Sequence, residues 1–162
     1  MKQFVLFFIS LFLLGVGARS QEMYQKKVFI SSRGDSLNYR LLRPEVEKTG
    51  LQYPLVLFLH GAGERGSDNE KQLTHGGQMF LNPVNREKYP AFVLVPQCPE
   101  KDYWAYTSRP SSFIPSEMPA GQEITPVLRA VKELLDTYLD LPQVDRNLSL
   151  IHISEPTRLA LI

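Results

Sequence analysis

The residues of this chain that are best suited to chemistry form a glycine-rich stretch directly after an apolar run. The stretch reads His60-Gly61-Ala62-Gly63-Glu64-Arg65-Gly66. Glycines lack a Cβ, so the backbone can approach a small ligand closely, and successive backbone N–H groups in such a loop can bind an anion. We therefore expect the functional centre just after Leu59, where the apolar run ends.

The spacing G-x-G-x-x-G after a strand also fits the dinucleotide fingerprint, which needs a helix at the glycines and an acidic residue after the next strand. Here the polar residues 67–69 continue the loop without a helical pattern, and the next apolar run, 91–95, ends in Pro96-Gln97. Glu87 has about the right spacing, but it precedes that run. The sequence therefore favours an oxyanion over a phosphate as the anion.

An oxyanion site would support acyl transfer through a serine, in which each preorganised N–H lowers the barrier by roughly 3 kcal/mol. In α/β-hydrolases one donor comes from the loop after strand β3, in an HG-type motif. We expect the N–H of Ala62 to be the first donor and that of Gly63 the second. His60 and His75 are expected to order the loop, because the catalytic histidine of that fold follows its nucleophile in the chain.

The elements that would position this loop alternate between strands and crossovers, which indicates an α/β fold. Segments 26–31 and 37–42 predict an antiparallel hairpin. The apolar runs 53–59 and 91–95 predict parallel strands buried on both faces. Apolar residues at helical spacing predict a helix over 123–139.

Two further segments carry weaker patterns. Residues 78–87 are predicted to be helical in part, with an interruption at Pro83, after a long polar loop over 61–77. Residues 100–122 predict a long loop without periodicity. Trp104 and Tyr106 in that loop could line an acyl or aromatic pocket, and could equally anchor the loop on the core.

Composition narrows the class of protein. The 162 residues suit one domain or part of one, and basic and acidic residues are mixed with a net charge of +1, which argues against a basic nucleic-acid-binding face. Cys98 is the only cysteine, so it cannot form an internal disulfide, and buried packing is expected for it.

The amino terminus predicts export. Residues 1–20 combine a basic start, an apolar block and small residues before Gln21, as in a secretory signal peptide. The apolar block is short for a membrane span. The expected location is therefore periplasmic or secreted, with no stable membrane anchor after cleavage.

Two motifs together carry a family resemblance: the run from Leu57 to Gly66, and Pro96-Gln97-Cys98-Pro99. They resemble the phospholipase/carboxylesterase-type α/β-hydrolases and the related feruloyl-esterase-like, polyhydroxybutyrate-depolymerase-like and prolyl-oligopeptidase-like groups. The resemblance covers about residues 24–147.

This resemblance implies an exported serine esterase with no cofactor and no metal. Its substrate would be a small-molecule or polymer-linked carboxylic ester. Ala62 and Gly63 would contribute to the oxyanion hole, and the neighbouring residues would hold the loop: His60, Gly61, Glu64, Arg65 and Gly66. Glu64 and Arg65 could pair with each other or brace the loop, and could equally form a solvated surface pair. A prolyl-oligopeptidase-like peptidase and a non-catalytic secreted binding domain are the alternatives.

The family's nucleophile motif, G-x-S-x-G, does not occur in the sequence. The nearest match, in residues 34–38, fails at its last position. We therefore expect the nucleophile, acid and base to be absent and the chain to be inactive. Residues 148–158 resemble a translated sequencing adaptor, so that 21–147 would be the amino-terminal part of a hydrolase domain and 148–162 a non-native tail. A natural amphipathic strand over 148–153 is the alternative.

Overall fold

The computed structural model describes residues 23–105 and 124–153, which form one mixed sheet flanked by helices. The strand order is β1-β2-β4-β3-β5. The strands are β1 Gln25–Ile30, β2 Ser36–Leu42, β3 Tyr53–Leu59, β4 Phe92–Pro96 and β5 Val144–Ile153. The predicted signal peptide at 1–20, Tyr106 and residues 154–162 lie outside the described residues.

The predicted hairpin is confirmed. β1 and β2 pair antiparallel from Gln25 opposite Leu41 to Ile30 opposite Ser36. The turn between them contains Gly34 at φ 86°, a backbone conformation that glycine adopts without strain. β2 then pairs antiparallel with β4, which attaches the hairpin to the parallel part of the sheet.

Strand β3 lies between two parallel neighbours, as its continuous apolar sequence predicts. Leu55 is opposite Phe92 of β4 on one side and Ser149 of β5 on the other. Every residue of β3 except Pro54 is buried. The predictions of buried parallel strands at 53–59 and 91–95 are confirmed, with β4 placed at 92–96.

The sheet carries an apolar layer on each face. Helix α2, Pro126–Leu139, covers one face through Val127, Ala130, Val131 and Leu134. The segment 73–81 covers the other face, where it packs on Phe58, Val93 and Val95. The two layers hold β3 rigidly, so the loop after Leu59 leaves the sheet at a fixed point.

The helices differ in detail from the sequence predictions. Pro83 was expected to interrupt a helix, but it begins the short helix α1, Pro83–Lys88, where its missing N–H is harmless and Asn82 caps the first turn. Helix α2 begins at Pro126, with Thr125 as its cap, rather than at residue 123. The predicted polar loop over 61–77 contains short 3₁₀ turns at Ala62–Glu64 and Lys71–Leu73.

Strand β5 includes residues 148–153, the start of the tail that resembles an adaptor. Its pairing with β3 is irregular between Val144 and Ser149. Leu148, Leu150 and Ile151 are more than half exposed, although they lie on both faces of the sheet. The strand geometry does not establish where this sequence comes from, so its non-native origin stays a prediction.

No helix within the described ranges has the length and apolar character needed to cross a bilayer.

Candidate functional site

His60 joins the loops that follow β3 and β4. Its buried ring accepts a hydrogen bond at Nε2 from the N–H of Cys98, at 3.0 Å. Since Nε2 is an acceptor, the proton of the neutral ring is on Nδ1, which donates to the carbonyl of Gly61 at 2.6 Å. Burial lowers the pKa of His60 and favours this neutral form. Both ring nitrogens are engaged, so His60 orders the loop and is not placed to act as a base.

The backbone after His60 exposes two N–H groups. The carbonyl of Gly61 is held by His60, and the carbonyl of Ala62 accepts from Nε of Arg65 at 2.9 Å. No acceptor for the N–H of Ala62 or Gly63 lies among residues 23–105 and 124–153. Both residues are exposed. The two predicted donors are therefore fixed by their neighbours and open to a ligand.

Glu64 and Arg65 were expected either to pair with each other or to brace the loop. The Glu64 carboxylate lies 3.4 Å from Nε2 of His75 and 4.0 Å from Nδ1 of His60. The Arg65 guanidinium donates to the carbonyls of Ala62 and Asp102. The contacts favour bracing, with Glu64 ordering the histidines and Arg65 ordering the backbone.

Trp104, a candidate for substrate binding, lies half-buried beside His60. Its Nε1 donates to the carbonyl of His60 at 2.9 Å, and the two ring centroids are 5.1 Å apart. Its own carbonyl accepts from the hydroxyl of Thr125. These contacts anchor residues 100–105, the described start of the predicted 100–122 loop, on His60 and on the first turn of helix α2. The other candidate, Tyr106, lies outside the described residues.

Gly66, which ends the glycine-rich stretch, is tied to the loop after β4. Its N–H donates to the carbonyl of Cys98 at 2.9 Å. Burial raises the pKa of the Cys98 thiol to about 12, so Cys98 is an uncharged packing residue at neutral pH.

A buried polar network that the sequence interpretation missed supports the rest of the loop. Gln97 accepts at Oε1 from the N–H of Asn69 and donates from Nε2 to Asp68 at 2.8 Å and to the carbonyl of Glu64. The buried Arg40 donates from Nε to the carbonyl of Asn69. The sequence does contain one signal for this network, because the polar Gln97 directly follows a fully buried strand.

Asp68 is the acidic member of this network. Burial raises its pKa, but hydrogen bonds from the N–H groups of Lys71 and Glu70 and from Gln97 outweigh that effect and lower the pKa to about 2. Asp68 is therefore ionised at neutral pH, where it accepts these hydrogen bonds.

The conformation of the glycine-rich stretch does not fit the dinucleotide fingerprint. That motif requires a helix that begins at the glycines and points its N–H groups at a pyrophosphate. Here Ala62–Glu64 is a single 3₁₀ turn, and Arg65 is already extended. The loop presents a pair of donors rather than the start of a helix.

Comparison with known proteins gives one informative likeness. No family model matches the chain, and no curated protein matches it significantly. A solved structure described as a thermostable esterase is similar, with a TM-score of 0.67 and 30% sequence identity over 83% of this chain and 34% of the esterase. The chain has an α/β-hydrolase fold.

A second solved structure, BES protein from Bacillus cereus, is similar at a TM-score of 0.46 and 13% identity, over 80% of this chain and 52% of that protein. That likeness is too weak to carry an argument. The chain spans about a third of the length of the thermostable esterase and about half of BES protein.

In this hydrolase fold β3 and β5 end side by side. The strands are parallel, and Leu59 of β3 is opposite Ile153 of β5. The carboxyl ends of neighbouring parallel strands open at the same edge of a sheet, so β5 ends at the edge where the N–H groups of Ala62 and Gly63 are exposed. An α/β-hydrolase places its nucleophile on a strand-to-helix turn whose backbone contributes the second part of the oxyanion hole.

Proposed function

We propose that this chain is the amino-terminal part of an exported serine esterase that hydrolyses carboxylic esters through an acyl-serine intermediate. The observation that carries the proposal is the pair of N–H groups at Ala62 and Gly63, which have no acceptor among the described residues and lie in the loop that follows β3. The likeness to a thermostable esterase supports the same class of reaction.

The chemistry requires fixed donors, and the loop has them. The tetrahedral intermediate of acyl transfer concentrates negative charge on one oxygen, and donors that are already oriented stabilise it without reorganisation. The carbonyls that precede both N–H groups are held by side chains, from His60 and Arg65. The exposed position of Ala62 and Gly63 lets a substrate carbonyl reach them.

The proposal includes the absence of the nucleophile, acid and base from this chain. The sequence has no G-x-S-x-G motif, and we propose that residues 148–162 derive from a sequencing adaptor joined after Asn147. Three apolar side chains of β5 that are more than half exposed support truncation of the domain, because a strand beside β3 in a complete hydrolase sheet is covered on both faces. We also propose that residues 1–20 direct export and are removed.

Resequencing the locus beyond codon 147 tests the proposal. The expected result is a longer reading frame in which native residues after Asn147 continue the strand that begins at Val144 and are followed by a G-x-S-x-G motif. We call its product the natural gene product. It should hydrolyse a nitrophenyl ester, and substitution of the motif serine by alanine should abolish the activity. The 162-residue chain should not hydrolyse the ester above blank.

Other outcomes separate the alternatives. A native reading of 148–158 would refute the adaptor origin. A motif serine with activity on proline-containing peptides and none on esters would indicate a peptidase. A natural gene product without the motif would indicate a binding domain.

A further inference from the structure

We propose that Arg65 is a positioning residue of the oxyanion site, which fixes the Gly63 N–H by holding the carbonyl of Ala62. The inference rests on the proposed function, and it assigns to Arg65 a role through the backbone rather than through contact with substrate. Three contacts and the geometry of the peptide bond carry it.

The Arg65 guanidinium is held at three points. Its Nε donates to the carbonyl of Ala62 at 2.9 Å, and Nη1 donates to the carbonyl of Asp102 at 3.1 Å. Its central carbon lies 4.1 Å from the centre of the Tyr103 ring. A planar guanidinium can make two directed hydrogen bonds and stack at once, which a lysine ammonium cannot. Arg65 therefore connects the loop after β3 with the loop after β4.

The contact with Ala62 determines where the Gly63 N–H points. All described peptide bonds are trans, and in a planar trans peptide the C=O and N–H bonds are antiparallel. The carbonyl of Ala62 points at Arg65, so the N–H of Gly63 points away from it and into the open site. His60 does the same for the preceding peptide, where it holds the Gly61 carbonyl and directs the Ala62 N–H.

The exposure of the loop explains why a side chain is needed for this purpose. Ala62 and Gly63 are exposed, no described atom lies within 4 Å of the position where a Cβ of Gly63 would be, and the turn is only Ala62–Glu64. The hydrogen bond that closes the turn, from the N–H of Glu64 to the carbonyl of Gly61 at 3.3 Å, does not use the C=O or the N–H of the Ala62–Gly63 peptide. Without Arg65, that peptide could rotate and the second donor would lose its direction.

The test compares variants of the natural gene product. R65M removes every donor, R65K keeps the charge and one donor group, and R33M is the matched control. Arg33 is an exposed arginine at the β1–β2 turn, and among the described residues no contact joins its side chain to residues 60–66. We expect R65M to lower kcat on a neutral nitrophenyl ester by about 10-fold to 100-fold, somewhat less than complete loss of a donor. KM should stay within about twofold, since the donors act on the transition state.

R65K should recover part of the loss in kcat, and R33M should match the wild type.

A second measurement follows the mobility of the backbone directly. The ¹⁵N order parameter of the Gly63 amide should fall from about 0.85, the value of a rigid backbone, to below about 0.6 in R65M. A merely structural role, with a general loss of stability, would not confine this change to the Ala62–Gly63 peptide.

The kinetic constants and the Gly63 order parameter together distinguish a positioning role of Arg65 from direct substrate binding. A raised KM with unchanged kcat would overturn the inference and indicate direct substrate binding by Arg65. An unchanged kcat together with an unchanged Gly63 order parameter would also overturn it. If R65M does not fold, the same readouts on R65K decide, with a smaller loss expected. If the wild type hydrolyses no ester, the proposed function fails, while the order parameters still decide whether Arg65 holds the peptide.

Discussion

The protonation state of a single histidine explains how two loops are held together at the site. Nε2 of His60 accepts from Cys98 and Nδ1 donates to Gly61, so only the neutral Nδ1–H tautomer satisfies both contacts. Protonation would place a second N–H against the N–H of Cys98. The ring is 1% exposed, so water cannot replace the lost contact.

This arrangement predicts that acid weakens the natural gene product through His60. Burial lowers the pKa of His60 in the folded state, whereas the unfolded state keeps an ordinary histidine pKa of about 6.5. Below that pH the unfolded state binds a proton that the folded state does not, so the free energy of unfolding falls as the pH decreases. The stabilisation is fully present above the unfolded pKa.

The measurement is denaturant unfolding at about pH 7.5 and about pH 5.5, on either side of the ordinary histidine pKa. His60→Asn should flatten the pH dependence and lower stability at the higher pH by about 1–3 kcal/mol, because the buried N–H of Cys98 loses its acceptor. His75→Asn is the matched control for the Glu64 contact that both histidines share, because Cys98 donates to His60 and not to His75. Equal slopes in the wild type and His60→Asn would contradict the assigned tautomer.

Gly76 provides a second prediction from a single position. It has φ +87°, and an added Cβ would lie 2.6 Å from Cζ of the buried Phe58 ring. Gly50 has a similar φ of +81° but nothing within 4 Å of that position. Gly76→Ala should therefore destabilise the protein by about 1–3 kcal/mol more than Gly50→Ala, because only Gly76→Ala adds overpacking to backbone strain. Similar melting temperatures for the two variants would show that Phe58 moves without penalty.

At the scale of elements, helix α2 is tied to the site by its cap. The Thr125 hydroxyl accepts from the N–H of Leu128 and donates to the carbonyl of Trp104, whose ring lies against His60. One buried hydroxyl therefore begins the helix and holds the loop that carries Trp104.

Thr125→Ala should lower the free energy of unfolding by about 1–2 kcal/mol through loss of the cap. Thr137→Ala is the matched control, because Thr137 lies exposed near the other end of the same helix and only bonds back to Glu133. It should change stability by less than about 0.5 kcal/mol. Thermal unfolding of both variants of the natural gene product measures the difference, and equal losses would show that the cap is not the source.

The elements that the sequence predicts well are those whose pattern comes from burial. β3 and β4 are apolar throughout because both faces are covered, and α2 shows helical spacing because one face packs on the sheet. Pro83 was misinterpreted because proline can both break a helix and begin one. Here it begins one, because the Asn82 side chain caps the first turn. Burial patterns identify elements, while boundaries depend on such local hydrogen bonds.

The candidate site could be predicted only in part, because some of its contacts depend on hydrogen bonds between distant parts of the chain. The glycine spacing predicted the loop in which the N–H groups of Ala62 and Gly63 are exposed, while their role as donors stays a prediction. The side chains that hold the loop, such as Gln97 and Arg40, act across pairings between distant parts of the chain. Such contacts leave no local pattern in the sequence.

At the scale of the whole molecule, the two edges of the sheet differ. β1 forms one edge and carries Lys26 and Lys27, charges that hinder pairing with another sheet. β5 forms the other edge, where the apolar Leu148 and Leu150 are about 60% exposed. Among the described residues nothing pairs with the outer side of β5. We therefore expect the 162-residue chain to associate through β5 and to be poorly soluble.

Leu150→Lys tests this expectation against a control of equal exposure. Leu150 is 60% exposed on β5, and Val28 is 58% exposed on β1. A lysine on an exposed edge opposes pairing between sheets, so Leu150→Lys should increase the soluble fraction of the 162-residue chain several-fold. Val28→Lys adds the same charge at the edge that lysines already protect, so it should have little effect. The soluble fraction and the sedimentation profile of both variants measure the difference. An equal increase in the soluble fraction of both variants would show that net charge, rather than the β5 edge, controls solubility. A soluble wild-type monomer that unfolds cooperatively would show that the β5 edge does not associate.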